Sequence, residues 1–143
     1  MKTLFTLLFA LLVVHALKAQ VTEIPAEKKP VVVDNLTIGI RSDNTGLHTS
    51  AALIMCDLIH DSYLTKNDAS KAMIPLLKLL KDGKTDDERI AAAVALYQLG
   101  NPIGIYQLRG VGVFDDNQKV ATICKNLYVT YHKLHGTEYL INL

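Results

Sequence analysis

From Val31 onward the apolar residues recur three and four positions apart, in blocks of about a dozen separated by short polar breaks. Nothing along the chain alternates with the period of two that a half-buried strand requires, so the pattern predicts helices. Six are expected. The first, over residues 32–40, is short and β-branched. The second, over 47–59, follows the break Asp43-Asn44-Thr45-Gly46 and sets Leu47, Ala51, Ile54, Met55 and Leu58 on one stripe. The third, over 69–81, has Asn67 or Asp68 available as a cap and buries Met73, Leu76, Leu77 and Leu80.

The fourth helix has the strongest start signal. In Thr85-Asp86-Asp87-Glu88 the Thr hydroxyl can accept from the third helical amide while the Glu side chain reaches back to the cap amide. That helix runs to about Leu99 and stops at Gly100, a natural C-terminal breaker. Asn101 then caps a fifth helix at once, with Pro102 at the first helical position, where a missing amide costs nothing. Gly110 and Gly112 each weaken it by up to about 1 kcal/mol relative to Ala, which predicts its end near them. After the break Asp115-Asp116-Asn117 the last helix runs from Gln118 to about Leu134, ahead of Gly136.

The region before the helices has a different character. Residues 1–19 read as a secretory signal peptide: Lys2, an apolar run from Leu4 to Val14, then Ala16-Leu17-Lys18-Ala19, with cleavage expected before Gln20. The apolar run is shorter than the roughly 20 residues that span a bilayer, so no stable membrane insertion is expected after cleavage. Residues 20–31, charged and carrying Pro25 and Pro30, read as a flexible linker, and 32–143 as the helical domain. Removing Lys2 and Lys18 leaves 13 basic against 14 acidic residues, a net charge of −1, with the basic ones dispersed. Nucleic-acid binding needs a clustered positive excess, so it is excluded as an expectation. An exported protein, periplasmic or secreted, is expected.

Internal repetition separates a bundle from a stack of helix pairs. The starts of the second, fourth and sixth helices align. Asp43 precedes Leu47-His48 with Ala51-Ala52 and Met55; Asp86 precedes Glu88-Arg89 with Ala92-Ala93 and Leu96; Asp116 precedes Val120-Ala121 with Cys124 and Tyr128. These starts fall roughly 40 and roughly 30 residues apart, bracketing known helix-pair periods. The segment from Asp86 to Pro102 resembles the second helix of a HEAT repeat, with an acid, an Arg, Ala-Ala, Ala-Leu, then Leu99-Gly100-Asn101 and a return into the next first helix. Three positions depart from that pattern: Glu88 stands where the family usually has Val, Asn101 where it has Asp, and His48 replaces Arg in the first repeat.

The resemblance, to small secreted bacterial HEAT-like and armadillo-type proteins, extends over about residues 32–134. It implies an all-α fold, a short right-handed α-α superhelix of two to three helix pairs and about six helices. It also implies a noncatalytic protein-interaction scaffold, and it carries no catalytic residues. The expected partner-binding line is Leu53, Ile90, Val94, Tyr97 and Ile123, an apolar strip with a Tyr along the concave face of the second helices. Self-association through uncovered repeat ends is the alternative, and a ligand-binding or enzymatic pocket between helices, gathering Asp57, His60, His132 or Tyr residues, is a third reading.

Other candidates for chemistry are few. Cys56 and Cys124 would pair by reflex in an oxidising compartment, but the repeat alignment sets a helix pair between them, so two buried free thiols are expected. His132 and His135, and the group Asp57, His60 and Asp61, have no third-ligand motif beside them, so no metal is expected. Tyr128, Tyr131 and Tyr139 read as half-buried packing. Phosphate-loop, Gly-x-Ser-x-Gly, His-Glu-x-x-His and Cys-x-x-Cys motifs are absent, so neither catalysis nor a cofactor is expected. The tail 137–143 either packs as a cap over the last repeat or offers a recognition strand, and its apolar content favours packing.

Overall fold

The computed structural model describes residues 23–141. The expected signal peptide and its cleavage point lie outside them. Among the described residues the fold is all-α, with six packed helices and no strand.

Each helix begins where its chain chemistry satisfies the first amides. Helix α1 spans Lys29–Ile40. It starts three residues before the expected Val32 and takes in the end of the expected linker, because Pro30 falls in the first turn, where a missing amide breaks no bond. Helix α2, Thr45–His60, is capped by Asn44, whose Oδ1 accepts from the Leu47 amide at 3.0 Å. The third segment divides into a 3-10 turn, Asp68–Ala72, and helix α3, Met73–Asp82. Its cap is neither of the expected forms alone. Thr65 and Asp68 bond reciprocally, the Thr65 amide and hydroxyl donating to Asp68 Oδ2 (2.9 and 2.7 Å) and the Asp68 amide to Thr65 Oγ1 (3.1 Å). Asn67 makes no side-chain cap bond. Pro75 has no amide to donate, and regular α-helix begins only at Met73, which leaves the proline in its first turn.

Helix α4, Asp86–Leu99, carries the expected capping box and ends on Gly100 at φ 62°, a left-handed position that glycine adopts without strain. Helix α5, Pro102–Phe114, starts on the Asn101 cap as expected, but continues through Gly110 and Gly112 instead of ending near them. Packing outweighs propensity here. A Cβ on Gly112 would lie 2.8 Å from the Lys125 backbone nitrogen, so the glycine lets α5 and the last helix approach. That last helix, α6, spans Gln118–Leu134 under an Asn117 cap that accepts from the Lys119 and Val120 amides at 3.1 Å.

Neighbours in sequence pack as α1 on α2, α3 on α4 and α5 on α6, while α2 lies against α4 and α4 against α6. Helix α4 is therefore the centre. Its Ala91, Ala92, Ala93, Ala95, Leu96 and Leu99 are buried on several sides, their small side chains allowing close neighbours. The buried face of α2 is rotated from the expected stripe. Ala51 and Met55 are buried and Leu58 half-buried, but Leu47 and Ile54 are 52% and 48% exposed, and His48, Ala52, Cys56 and Ile59 take their place. The alanines admit α4 closely, and His48 turns inward because it finds a buried acid.

Candidate interaction surface

The second, fourth and sixth helices are tied together at their N-termini by polar side chains. Glu88, in the first turn of α4, is fully buried. Its Oε2 closes the capping box by accepting the Thr85 amide at 3.1 Å and also accepts the Lys84 amide. Its Oε1 takes the Nε2 hydrogen of His48 on α2 at 2.7 Å, and the Thr45 side chain adds a further bond. Burial alone would push this carboxyl up; the four hydrogen bonds outweigh it and bring it from 4.5 down to about 2. Glu88 is thus a carboxylate, and His48 is the donor.

One residue on, Arg89 reaches the other way. Its Nε donates to the Leu80 carbonyl at 2.8 Å on α3, and both terminal nitrogens bond the carboxylate of Asp115, just before α6, one at 3.1 Å. This fork holds Asp115 below the usual carboxylate range and raises the Arg89 guanidinium. Asn117, the α6 cap, donates from Nδ2 to Asp86 Oδ1 at 2.6 Å. Together these bonds fix the starts of α2, α4 and α6 relative to one another.

The five residues of the expected strip all lie on these three helices. Leu53 on α2 is 43% exposed; Ile90, Val94 and Tyr97 on α4 and Ile123 on α6 are half-buried. Ile90, Val94 and Tyr97 follow one another at helical spacing and pack on the core from its edge. Tyr97 meets Tyr131 of α6 edge to face at 6.3 Å, and the neighbouring Gln98 Nε2 donates to His60 Nδ1 of α2 at 2.9 Å. The same side of α4 therefore meets α2 through a hydrogen bond and α6 through an aromatic contact.

The other sequence candidates are placed individually. Cys56 and Cys124 are free and buried, as expected, and burial pushes their thiols to about 11 and about 12. Among the described residues no three His, Cys, Asp or Glu side chains converge as a metal site would require. His60, Asp57 and Asp61 are exposed. His132 is buried, its Nδ1 in hydrogen-bond contact with Thr137 Oγ1 at 2.6 Å, whereas His135 stacks on Tyr131 at 4.1 Å and donates to its carbonyl. Burial, and then the neighbouring His135, hold His132 below its ordinary value. Of the tail, residues 142–143 lie outside the described residues; in the described part, 137–141, Tyr128 donates to the Leu140 carbonyl at 2.8 Å, while Tyr139 and Leu140 themselves are exposed.

Two clefts accompany these features. One, of about 490 Å³, opens between α1, α2, α3 and the start of α4, with His48 and Glu88 in its wall and Arg41, Asp43, Lys78, Asp82 and Lys84 around it. The other, of about 660 Å³, lies between α5, α6 and the C-terminal turn Glu138–Leu140. Among the described residues no helix is long and apolar enough to cross a membrane. In comparisons with known proteins, no family model, curated protein or solved structure matches this chain. What the fold and surface define is a compact six-helix all-α domain.

Proposed function

We propose that this chain is an exported, noncatalytic protein-interaction module, a short stack of HEAT-like helix pairs that seats its partner on the concave side of the second helices. The observation that carries the reading is the line Leu53, Ile90, Val94, Tyr97 and Ile123, apolar and incompletely covered, running across three helices whose starts are bonded in register. Apolar positions of this kind, set in a rigid frame with polar side chains beside them, favour a partner helix or peptide over a reaction. The pairwise packing, with α4 between α2 and α6, supports the repeat reading. The secretory pattern in residues 1–19 supports export.

The test is a photo-crosslinking scan in the source organism. Benzoylphenylalanine is placed at Leu53 or Ile123 and, as controls, at Ile38 on α1 or Ile74 on α3, both exposed apolar residues of first helices. Crosslinks to the same protein from 53 and 123, absent from 38 and 74, are expected. Crosslinks only from 38 and 74 would move the partner to the first helices, and crosslinks solely to a second copy of the chain would make it a self-associating component.

A further inference from the structure

Helix α5 keeps one side out of the fold. Gly104, Ile105, Leu108 and Val111 are buried on the side that meets α4 and α6, whereas Ile103, Tyr106, Val113 and Phe114 are 60%, 67%, 45% and 82% exposed. A Cβ on Gly110 would meet nothing within 4 Å, which puts that glycine on the same open side. A helix side that faces water ordinarily carries charged groups. On α1 and α3 Asp34, Lys78 and Lys81 do so, but α5 contains no Asp, Glu or Lys at all. A contiguous apolar patch of this kind marks a contact surface.

The spacing within the patch says what covers it. Ile103, Tyr106, Gly110 and Val113 stand at intervals of three, four and three, the a and d positions of a heptad seam, which pairs with another helix. The seam is also symmetric about Leu108. Turned end for end, a second copy of α5 sets its Val113 against Ile103 and its Gly110 against Tyr106, and twofold symmetry repeats both pairs. In the same register its Phe114 falls against Pro102. The pairs are matched in bulk: two branched side chains meet at the ends, and near the centre a tyrosine ring meets the position that has no side chain. One chain therefore supplies both halves of the seam. The four exposed side chains offer on the order of 500 Å² per copy, about 1,000 Å² for two, at the lower end of specific interfaces.

We propose that this chain forms a twofold dimer in which α5 packs antiparallel on α5 of a second copy, Tyr106 over Gly110. None of the five residues of the second-helix strip takes part, so the dimer and that reading stand or fall separately.

The test uses the chain after signal removal. Its weight-average mass by sedimentation equilibrium should rise from one chain towards two between about 1 and about 500 μM, because an interface this small associates in the micromolar range or weaker. Tyr106→Glu should raise the dissociation constant at least about tenfold by burying an unpaired charge. Ile74→Glu, at a similarly exposed apolar residue of α3, should leave it unchanged. Orientation is read with a short bismaleimide on Ile103→Cys and Val113→Cys chains, the native thiols being buried. Mixed in equal amounts, the two chains should crosslink to each other. Neither should crosslink to itself, since two copies of position 103 lie about 15 Å apart along the seam at about 1.5 Å per residue. A mass of one chain at every concentration, no greater weakening by Tyr106→Glu than by Ile74→Glu, or single variants that crosslink as well alone as mixed would overturn the proposal. The mass of the parent chain tests the dimer independently of any variant's folding.

Discussion

His48 and Glu88, forty positions apart, meet through a buried hydrogen bond of 2.7 Å that fastens the start of α2 to the start of α4. The same carboxylate closes the α4 capping box, so one side chain both begins a helix and docks its neighbour. Removing it would leave His48, Thr45 and two amides without their acceptor at a buried position.

Glu88→Ala should therefore lower the free energy of unfolding by about 2–4 kcal/mol, more than a surface cap alone contributes. Urea unfolding measures it. A loss below about 1 kcal/mol would mean that water replaces the carboxylate without cost.

The same residue predicts an acid response. The Glu88 pKa is depressed in the folded state, from 4.5 to about 2, so its stabilisation is present above the unfolded value and is lost as pH falls through that window. Unfolding free energy measured from pH 6 to about pH 2 should fall more steeply in the parent than in Glu88→Gln. Parallel curves would assign the acid sensitivity to other carboxylates, Asp115 first.

Two glycines of α5 should respond oppositely to the same substitution. A methyl group added at Gly110 would meet nothing within 4 Å, so Gly110→Ala should gain up to about 1 kcal/mol from helix propensity. Gly112 faces the Lys125 backbone, and Gly112→Ala should lose about 1–3 kcal/mol as α5 and α6 are forced apart. Thermal melts of the pair decide it; equal shifts would contradict the close approach.

The two thiols should be silent. With Cys56 pushed to about 11 and Cys124 to about 12, a disulfide reagent at pH 8 should label neither in the native chain and both after unfolding in guanidinium. Rapid native labelling of one thiol would place it at the surface.

Much of the architecture is legible in the sequence because helix ends carry explicit chemistry. Asn44, Thr85, Asn101 and Asn117 each cap as their side chains suggest, and Gly100 stops α4 in the conformation that only glycine takes easily. Apolarity is a poorer guide to burial. Leu47 and Ile54 have the character of core residues and are exposed, whereas His48 and Glu88 have the character of surface residues and are buried, because a polar pair can go inside when each satisfies the other. His48 and Glu88 both stand near the starts of their helices, and they are partners in the fold. The continuation of α5 through Gly112 depends on the neighbouring Lys125 backbone, a tertiary contact that no local pattern encodes.

The α5–α6 cleft is legible only in part: a pocket between helices gathering His132 or Tyr residues is one of the readings of the sequence, but Asp57 and His60 do not line it. Its Tyr and His residues have the spacing of packing or of a solvated helix end, and only the fold sets Tyr106 and Arg109 opposite them. The five positions from Leu53 to Ile123 lie on α2, α4 and α6, the three helices whose starts align in the sequence.

Seating of a protein partner on this strip can be measured by crosslinking from position 97 in a chain carrying Leu53→Asp and Ile123→Asp. The double variant should keep the helical content and a cooperative unfolding transition yet lose the crosslink that the parent forms. A crosslink retained at full strength, or a variant too unstable to fold because those side chains belong to the core, would contradict it.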